Sequence, residues 1–250
     1  MIQLPSSKIP ESTQDPKKLI IYGCPKVGKT SLLSTLDNCL LVDLENGSDY
    51  VSALKIKINT VAEFFEMCKE IEDAGKPYKF AAIDTLTALE DFAKPLALAL
   101  YKNTVAGSTF DGTNVLEAPN GAGYGALRDA IERIINRLSS VVDNIIMVGH
   151  IKDKNVITAS DSEIGNVKEL DMSGKTPRVL CSKSDAIGFI YRDKESNLCV
   201  NFKTNGEATA GARPKHLANK QIIVAERQED GSFVSHWDRI YPSLSNKDKK

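Results

Sequence analysis

Apolar residues along the chain fall into short unbroken runs, separated by stretches with a period near 3.6. The runs Leu19–Tyr22, Cys39–Asp43, Leu54–Ile58, Phe80–Asp84, Ile145–His150, Ala186–Tyr191, Leu198–Phe202 and Ile222–Ala225 have strand length. They are read as strands, the first of them buried. Helical patterns alternate with them. One helix begins inside Gly23–Leu33; a second opens with "TVAE", where Thr60 and Glu63 have capping-box spacing, and ends near Gly75 before Pro77. The clearest is "YGALRDAIERIINRLSSVV": Leu127, Ala130, Ile131, Ile134, Ile135, Leu138, Val141 and Val142 share one face. Arg128, Glu132, Arg133 and Arg137 point away from it, as a solvated surface. Strands alternating with helices predict an α/β domain with a mostly parallel central sheet flanked by helices.

Two segments show neither period: "NTVAGSTFDGTNVLEAPNGAG" (Asn103–Gly123) and "KDKNVITASDSEIGNVKELDMSGKTPR" (Lys152–Arg178). Both are expected to be long loops, and loops of that length in a compact domain are usually functional or disordered. Residues 1–17, rich in Pro, Ser and charge, read as an N-terminal arm; 18–242 read as one domain and 243–250 as a solvated tail. No internal repeat is visible.

Composition narrows the class. With 42% hydrophobic and 26% charged residues the chain reads as an ordinary globular protein. A formal net charge of −1 provides no global basic field, so nucleic acid would have to be held by local patches. The 5 cysteines are scattered, with no CxxC pair, which suggests neither a disulfide framework nor a zinc site. The N-terminal stretch lacks the apolar core of a signal peptide, and no run of 18 apolar residues occurs. A cytoplasmic protein with no membrane partner is expected.

The chemistry is concentrated in "GCPKVGKTS", between a predicted strand and a predicted helix. It satisfies GxxxxGK[ST], and strand-to-helix context is what that motif requires. Glycines let the backbone turn its N–H groups inward as an anion nest, and the helix N-terminus points at the same place. Gly23, Cys24, Pro25, Lys26, Val27, Gly28, Lys29, Thr30 and Ser31 are the candidate nucleotide cradle. Within it, Lys29 would reach the β- and γ-phosphates and Thr30 would ligate Mg²⁺. In "KFAAIDTLT", Asp84 ends an apolar strand where a second Mg²⁺-organising group belongs; the alternative is a cap for the next helix. In "CLLVDLENG", Glu45 follows the strand after the phosphate-loop helix, where it could polarise an attacking water; the alternative is a surface glutamate beside the Asn46-Gly47 turn. In "NIIMVGHIK", His150 ends a strand at the same sheet edge, as a γ-phosphate sensor or as a structural histidine.

Together "GCPKVGKT", "LVDLE", "AAIDT" and "MVGH", in that order, resemble the RecA-like ATPase core. The nearest resemblance is to small single-domain RecA-like proteins of bacteriophages, of single-strand annealing or recombination type, and it covers about Lys18–Pro242. The resemblance implies an ATPase using ATP and Mg²⁺, with Glu45 as catalytic carboxylate and His150 as the switch between nucleotide and DNA. RecA itself carries glutamine at that switch, and its large N- and C-terminal domains have no counterpart here. It further implies single-stranded DNA as partner, a homo-oligomer (ring or filament) and a single-strand DNA-binding protein as companion. The two long loops fall where that family binds DNA, which makes Lys152, Lys154, Lys168, Lys175 and Arg178 the candidate nucleic-acid residues. Asp153, Asp161, Glu163, Glu169 and Asp171 offset their charge, and the loop has no aromatic residue for stacking. Arg213, in "FKTNGEATAGARPKHL", is the candidate cation reaching a neighbouring protomer's nucleotide; the alternative is a hairpin with solvated charges.

Other functions fit less of the chain. "SKSD" (Ser182–Asp185) imitates a guanine-reading signature, but Thr87 stands where a GTPase would have the glycine after Asp84. A small-molecule kinase would share the phosphate loop and use Lys152–Arg178 as a lid. A non-catalytic nucleotide-gated clamp subunit would not need Glu45.

Overall fold

A computed structural model of the chain describes residues 6–8, 15–157, 164–204 and 206–245. Most of the arm expected at 1–17 and of the tail expected at 243–250 lies outside the described residues. The elements run β1 (Lys18–Gly23), α1 (Lys29–Ser34), β2 (Cys39–Asp43), β3 (Leu54–Lys57), α2 (Val61–Asp73), β4 (Phe80–Asp84), α3 (Leu86–Lys102), α4 (Ala122–Ser139) and β5 (Asn144–Gly149). They continue with β6 (Ile151–Ile157), β7 (Ile164–Leu170), α5 (Thr176–Lys183), β8 (Ala186–Arg192), β9 (Leu198–Asn201), β10 (Gly211–Ala212), β11 (Gln221–Arg227) and β12 (Phe233–Ser235).

The main sheet is ordered β12-β11-β9-β8-β1-β5-β4-β2-β3, with β10 beside β8. From β8 to β3 every pairing is parallel; β9, β10, β11 and β12 extend the sheet antiparallel. The expected mostly parallel sheet flanked by helices is therefore observed. β1 lies near the centre, and its period-2 alternation serves two cores. Ile20 and Tyr22 pack toward the helical layer with Phe64, Leu89, Leu127 and Ile131. Leu19 and Ile21 pack toward Leu32, Leu33, Trp237 and Tyr241 on the other face. Two-sided burial is why β1, β2, β4 and β5 read as unbroken apolar runs, whereas the edge strand β3 is largely exposed and alternates with lysine.

Helix boundaries follow local chemistry. The Thr60 hydroxyl accepts from the Glu63 N–H (3.2 Å), while the Glu63 carboxylate reaches back to the Asn59 N–H (2.9 Å). α3, which the apolar pattern does not single out, runs through Pro95 and buries Leu86, Leu89, Ala93, Ala97 and Tyr101 at helical spacing. The 103–123 segment is a packed connection: Phe110 sits edge-on to Tyr101 (5.5 Å between centroids), and Val115 is fully buried.

The second expected loop is corrected. Lys152–Arg178 is mostly an antiparallel hairpin, β6 on β7, followed by the first turn of α5. Its register sets Lys152 opposite Glu169 and Asp153 opposite Lys168. Neither strand carries a continuous apolar face, so the pattern that reveals β1 or β5 is missing. Cross-strand pairs of opposite charge take its place.

The C-terminal segment closes the face opposite α2–α4. Trp237, 4% exposed, donates its indole N–H to the Leu32 carbonyl at the end of α1 (3.1 Å), and Tyr241 packs on Phe80 (4.9 Å between centroids). Trp237→Ala is therefore expected to lower the unfolding free energy by about 3–5 kcal/mol, the usual cost of emptying a buried aromatic site. Trp237→Phe should cost about 1 kcal/mol, for the lost hydrogen bond. Urea denaturation of both variants checks this.

Candidate active site

β1 ends at Gly23, where the phosphate loop begins. Gly23 is required by close approach: a Cβ there would stand 2.4 Å from the Ile190 carbonyl oxygen on β8. Positive φ, the expected role for both glycines, is adopted at Gly28 (φ 117°) and by Lys26 (φ 60°). Gly28 leads directly into α1. Lys29, 5% exposed, folds its ammonium back over the loop and donates to the Gly23 (3.1 Å) and Cys24 (2.9 Å) carbonyls. Burial pushes the Lys29 ammonium below the usual lysine range, against the opposing pull of Asp84 and Glu45.

The parallel register brings four strand ends together at this edge. The Thr30 hydroxyl donates to the Asp84 carboxylate at the end of β4 (2.6 Å). Burial pushes that carboxyl above its usual range, with Glu45 and Asp43 adding to the shift and Thr30 and Lys29 opposing it. The expected alternative for Asp84, a helix cap, falls to Thr85, whose hydroxyl accepts from the Ala88 N–H at the start of α3 (3.2 Å). The same Thr85 hydroxyl donates to Glu45 Oε1 (2.5 Å).

Glu45 therefore faces the site. Its Oε1 lies 3.3 Å from His150 Nε2, and His150 Nδ1 lies 3.5 Å from Lys29 Nζ. Lys29 can only donate, so the histidine tautomer that serves both contacts carries its hydrogen on Nε2 and points it at Glu45. Lys29, His150 and Glu45 thus form one chain of contacts across the mouth of the loop.

Asp43 holds that arrangement in place, and the motif reading misses it. It is 1% exposed at the end of β2 and accepts from the N–H groups of Glu45 (3.0 Å), Gly47 (3.3 Å) and Ser48 (3.0 Å), and from the Ser48 hydroxyl (2.6 Å). The chain curls around this carboxylate, with Asn46 at φ 59°, and so turns Glu45 toward β5. Burial raises the Asp43 carboxyl, but the hydrogen bonds from Ser48, Gly47 and Glu45 outweigh it and hold the group below its usual range. An aspartate directly before "LENGS" was the available signal: a carboxylate ahead of a turn, free to collect its N–H groups.

The donor set suits Mg²⁺. Thr30 and Asp84 supply one hydroxyl and one buried carboxylate in mutual contact, whose desolvation a cation would offset. An ion held there would take its other ligands from water and phosphate.

The remaining expected residues lie elsewhere. Lys154, Lys175 and Arg178 line one groove of about 360 Å³ between the hairpin and α5, together with Glu169 and Thr209. Lys154 is paired with Glu169 (3.1 Å), Lys152 donates to the Met172 carbonyl, and Lys168 sits 6.0 Å over the Phe189 ring. Arg213 is remote from Lys29: β10 pairs with the start of β8, at the sheet edge opposite the phosphate loop. There it bridges Asp185 (3.1 Å) and the Ser182 carbonyl (2.8 Å). A cavity of about 810 Å³ between β3 and α2 takes no part in the site.

Removing Asp43 tests the scaffold. Asp43→Ala strands the Glu45 and Ser48 N–H groups and is expected to cost about 2–3 kcal/mol of stability. Because folding lowers the Asp43 pKa, its contribution is fully present above the unfolded value of about 3.9 and disappears as pH falls through the folded value. The stability gap between wild type and Asp43→Asn, followed by thermal unfolding from pH 7 to pH 3, should therefore narrow at the acid end.

A search of curated proteins finds no match to this chain. Among solved structures the RadB recombinase is similar, with 11% sequence identity and a TM-score of 0.43 over 87% of this chain and 90% of that one. So loose a fit carries no argument about the site. The family described as AAA domain matches residues 15–219, a span that includes the phosphate loop, Glu45, Asp84, His150 and the β6–β7 hairpin. With a complete phosphate loop near the start of that span, the chain belongs to the AAA domain family, whose members are generally P-loop ATPases.

Proposed function

We propose that the protein hydrolyses ATP with Mg²⁺ and that single-stranded DNA controls the hydrolysis, in a recombination or annealing process of the phage RecA-like type. The observation that carries the reading is the Lys29–His150–Glu45 chain, because it joins a phosphate-binding lysine to a carboxylate at hydrolytic position. Glu45 would act as general base. Its Oε1 is occupied by Thr85 and His150, which leaves Oε2 to take the proton of a water aimed at the γ-phosphate. Lys29 would move from the Gly23 and Cys24 carbonyls onto the phosphate oxygens. A bound Mg²⁺ would offset charge on those oxygens, and Thr30 and Asp84 would hold it.

The link to DNA rests on continuity of the chain. His150 is followed at once by β6, and its carbonyl accepts from the Asp171 N–H just past β7 (2.9 Å). The Tyr22 hydroxyl, one residue before the phosphate loop, lies 3.0 Å from the Lys168 carbonyl on β7 and 2.9 Å from that of Thr209. A strand of DNA held in the Lys154–Lys175–Arg178 groove would press on a hairpin tied to the active site at both ends of this linkage. Backbone phosphates are the expected contact, since the groove offers cations and no aromatic platform. The working form is a homo-oligomer. Arg213, with its side chain 62% exposed, is the candidate to reach a neighbour's nucleotide.

The tests separate the two halves. Lys29→Ala should abolish measurable ATP binding, and Glu45→Gln should bind ATP normally while turning over at least roughly tenfold more slowly. Wild-type turnover in Glu45→Gln would return Glu45 to a surface role and favour a non-catalytic clamp. Single-stranded DNA should stimulate turnover, and ATP should tighten DNA binding by the same coupling. Changing Lys152, Lys154, Lys168, Lys175 and Arg178 together to Ala should weaken DNA binding and flatten its salt dependence, with ATP affinity unchanged. Turnover indifferent to DNA at low salt would end the recombination reading and move a small-molecule kinase forward.

A further inference from the structure

Glu45, Asp84 and His150 all stand on one flank of β1, on or just beyond the ends of β2, β4 and β5. The other flank is β8, whose register places Ile190 beside Gly23 and so carries Arg192 past the end of β1 and alongside the phosphate loop. The contact is close. A Cβ built on Gly28 would stand 3.0 Å from Arg192 Nη2 and 3.8 Å from Leu198 Cδ2. Arg192 is held from two further sides. Its Nη1 donates to the Ser196 carbonyl (2.9 Å), and its guanidinium carbon sits 4.8 Å over the ring of Phe233 on the outermost strand β12. Phe233 is 43% exposed, a large aromatic ring that backs this cation. Among the described residues no carboxylate forms an ion pair with Arg192.

We propose that Arg192, backed by Phe233, is the nucleoside-side wall of the site, and that its guanidinium plane stacks on the base of a purine nucleotide. The inference rests on the nucleotide-binding reading above and extends it to the other end of the ligand. A triphosphate whose terminal phosphate lies at Glu45 and His150 must run its nucleoside away from them, toward the β8 flank. Guanidinium planes stack on aromatic faces, and Phe233 backs this one while one of its N–H groups is spent on Ser196. Stacking of this kind accepts either purine, so selection of adenine over guanine would be weak.

The test compares ATP with inorganic tripolyphosphate, which carries the phosphates without a nucleoside, by titration calorimetry on the full chain with Mg²⁺. Arg192→Ala should weaken ATP binding roughly tenfold, within the range for a lost stacking partner, and tripolyphosphate binding less than about twofold. Arg192→Lys should not restore ATP affinity, because a lysine has no plane to stack. Phe233→Ala should weaken ATP in the same direction by a smaller factor. Equal losses for both ligands, restored by Lys, would make Arg192 a phosphate contact and overturn the proposal. So would wild-type affinity in Arg192→Ala. A wild-type chain that binds neither ligand would overturn the nucleotide reading and the wall together; a wild type that binds both, with Arg192→Ala unchanged, would overturn the wall alone.

Discussion

A buried ammonium organises this site. Lys29 sits at the end of the central strand with 5% exposure, and a charge so placed needs partners in every direction it can donate. Two of them are carbonyls of its own loop, which the tight approach of Gly23 to β8 brings into range. The third is His150, and through it Glu45. The carboxylates of Asp84 and Glu45 pull its pKa up while burial pulls it down. The same lysine that a phosphate would recruit therefore already holds this edge of the sheet together.

Around that charge the structure separates two jobs that one aspartate or threonine could have been assigned. Asp84 is free to meet Thr30 because Thr85 caps α3 in its place. Glu45 is free to face the site because Asp43 collects the backbone N–H groups of the turn that carries it. Each acid that faces the site has a neighbouring residue that takes the local structural role. The competing reading, a surface glutamate beside the Asn46-Gly47 turn, differs from the observed contacts of Glu45 with Thr85 and His150.

The β6–β7 hairpin stands apart from the main sheet yet is stitched to it by backbone groups. Its contacts with Tyr22, His150 and the 207–209 segment use carbonyls and N–H groups, so they transmit position whatever the side chains on its outer face do. Those side chains are of mixed charge, and several basic residues are already engaged by Glu169 or Met172. Any polyanion bound there would compete with these internal partners, which makes the groove responsive to salt.

The sequence alone carried the inner strands β1, β2, β4 and β5, because a strand buried on both faces must be apolar without interruption. It also carried the phosphate loop, because an anion nest demands glycine, lysine and a hydroxyl at set spacing. Glu45, Asp84 and His150 were legible because each directly follows an apolar run, and strand ends in a parallel sheet converge on one edge. The hairpin was not legible: its strands carry no continuous apolar run in sequence, so mixed charge reads as loop until Lys152 and Glu169 are seen across from each other. Arg192 was not legible either, nor was the reach of Thr85 to Glu45. What each does depends on which backbone, carboxylate or aromatic ring the sheet order brings beside it, and strand order is not written in any one strand. Only the tertiary structure sets β8 against β1, and with it an arginine beside the phosphate loop and, 41 positions on by number (233 − 192), the phenylalanine that backs it.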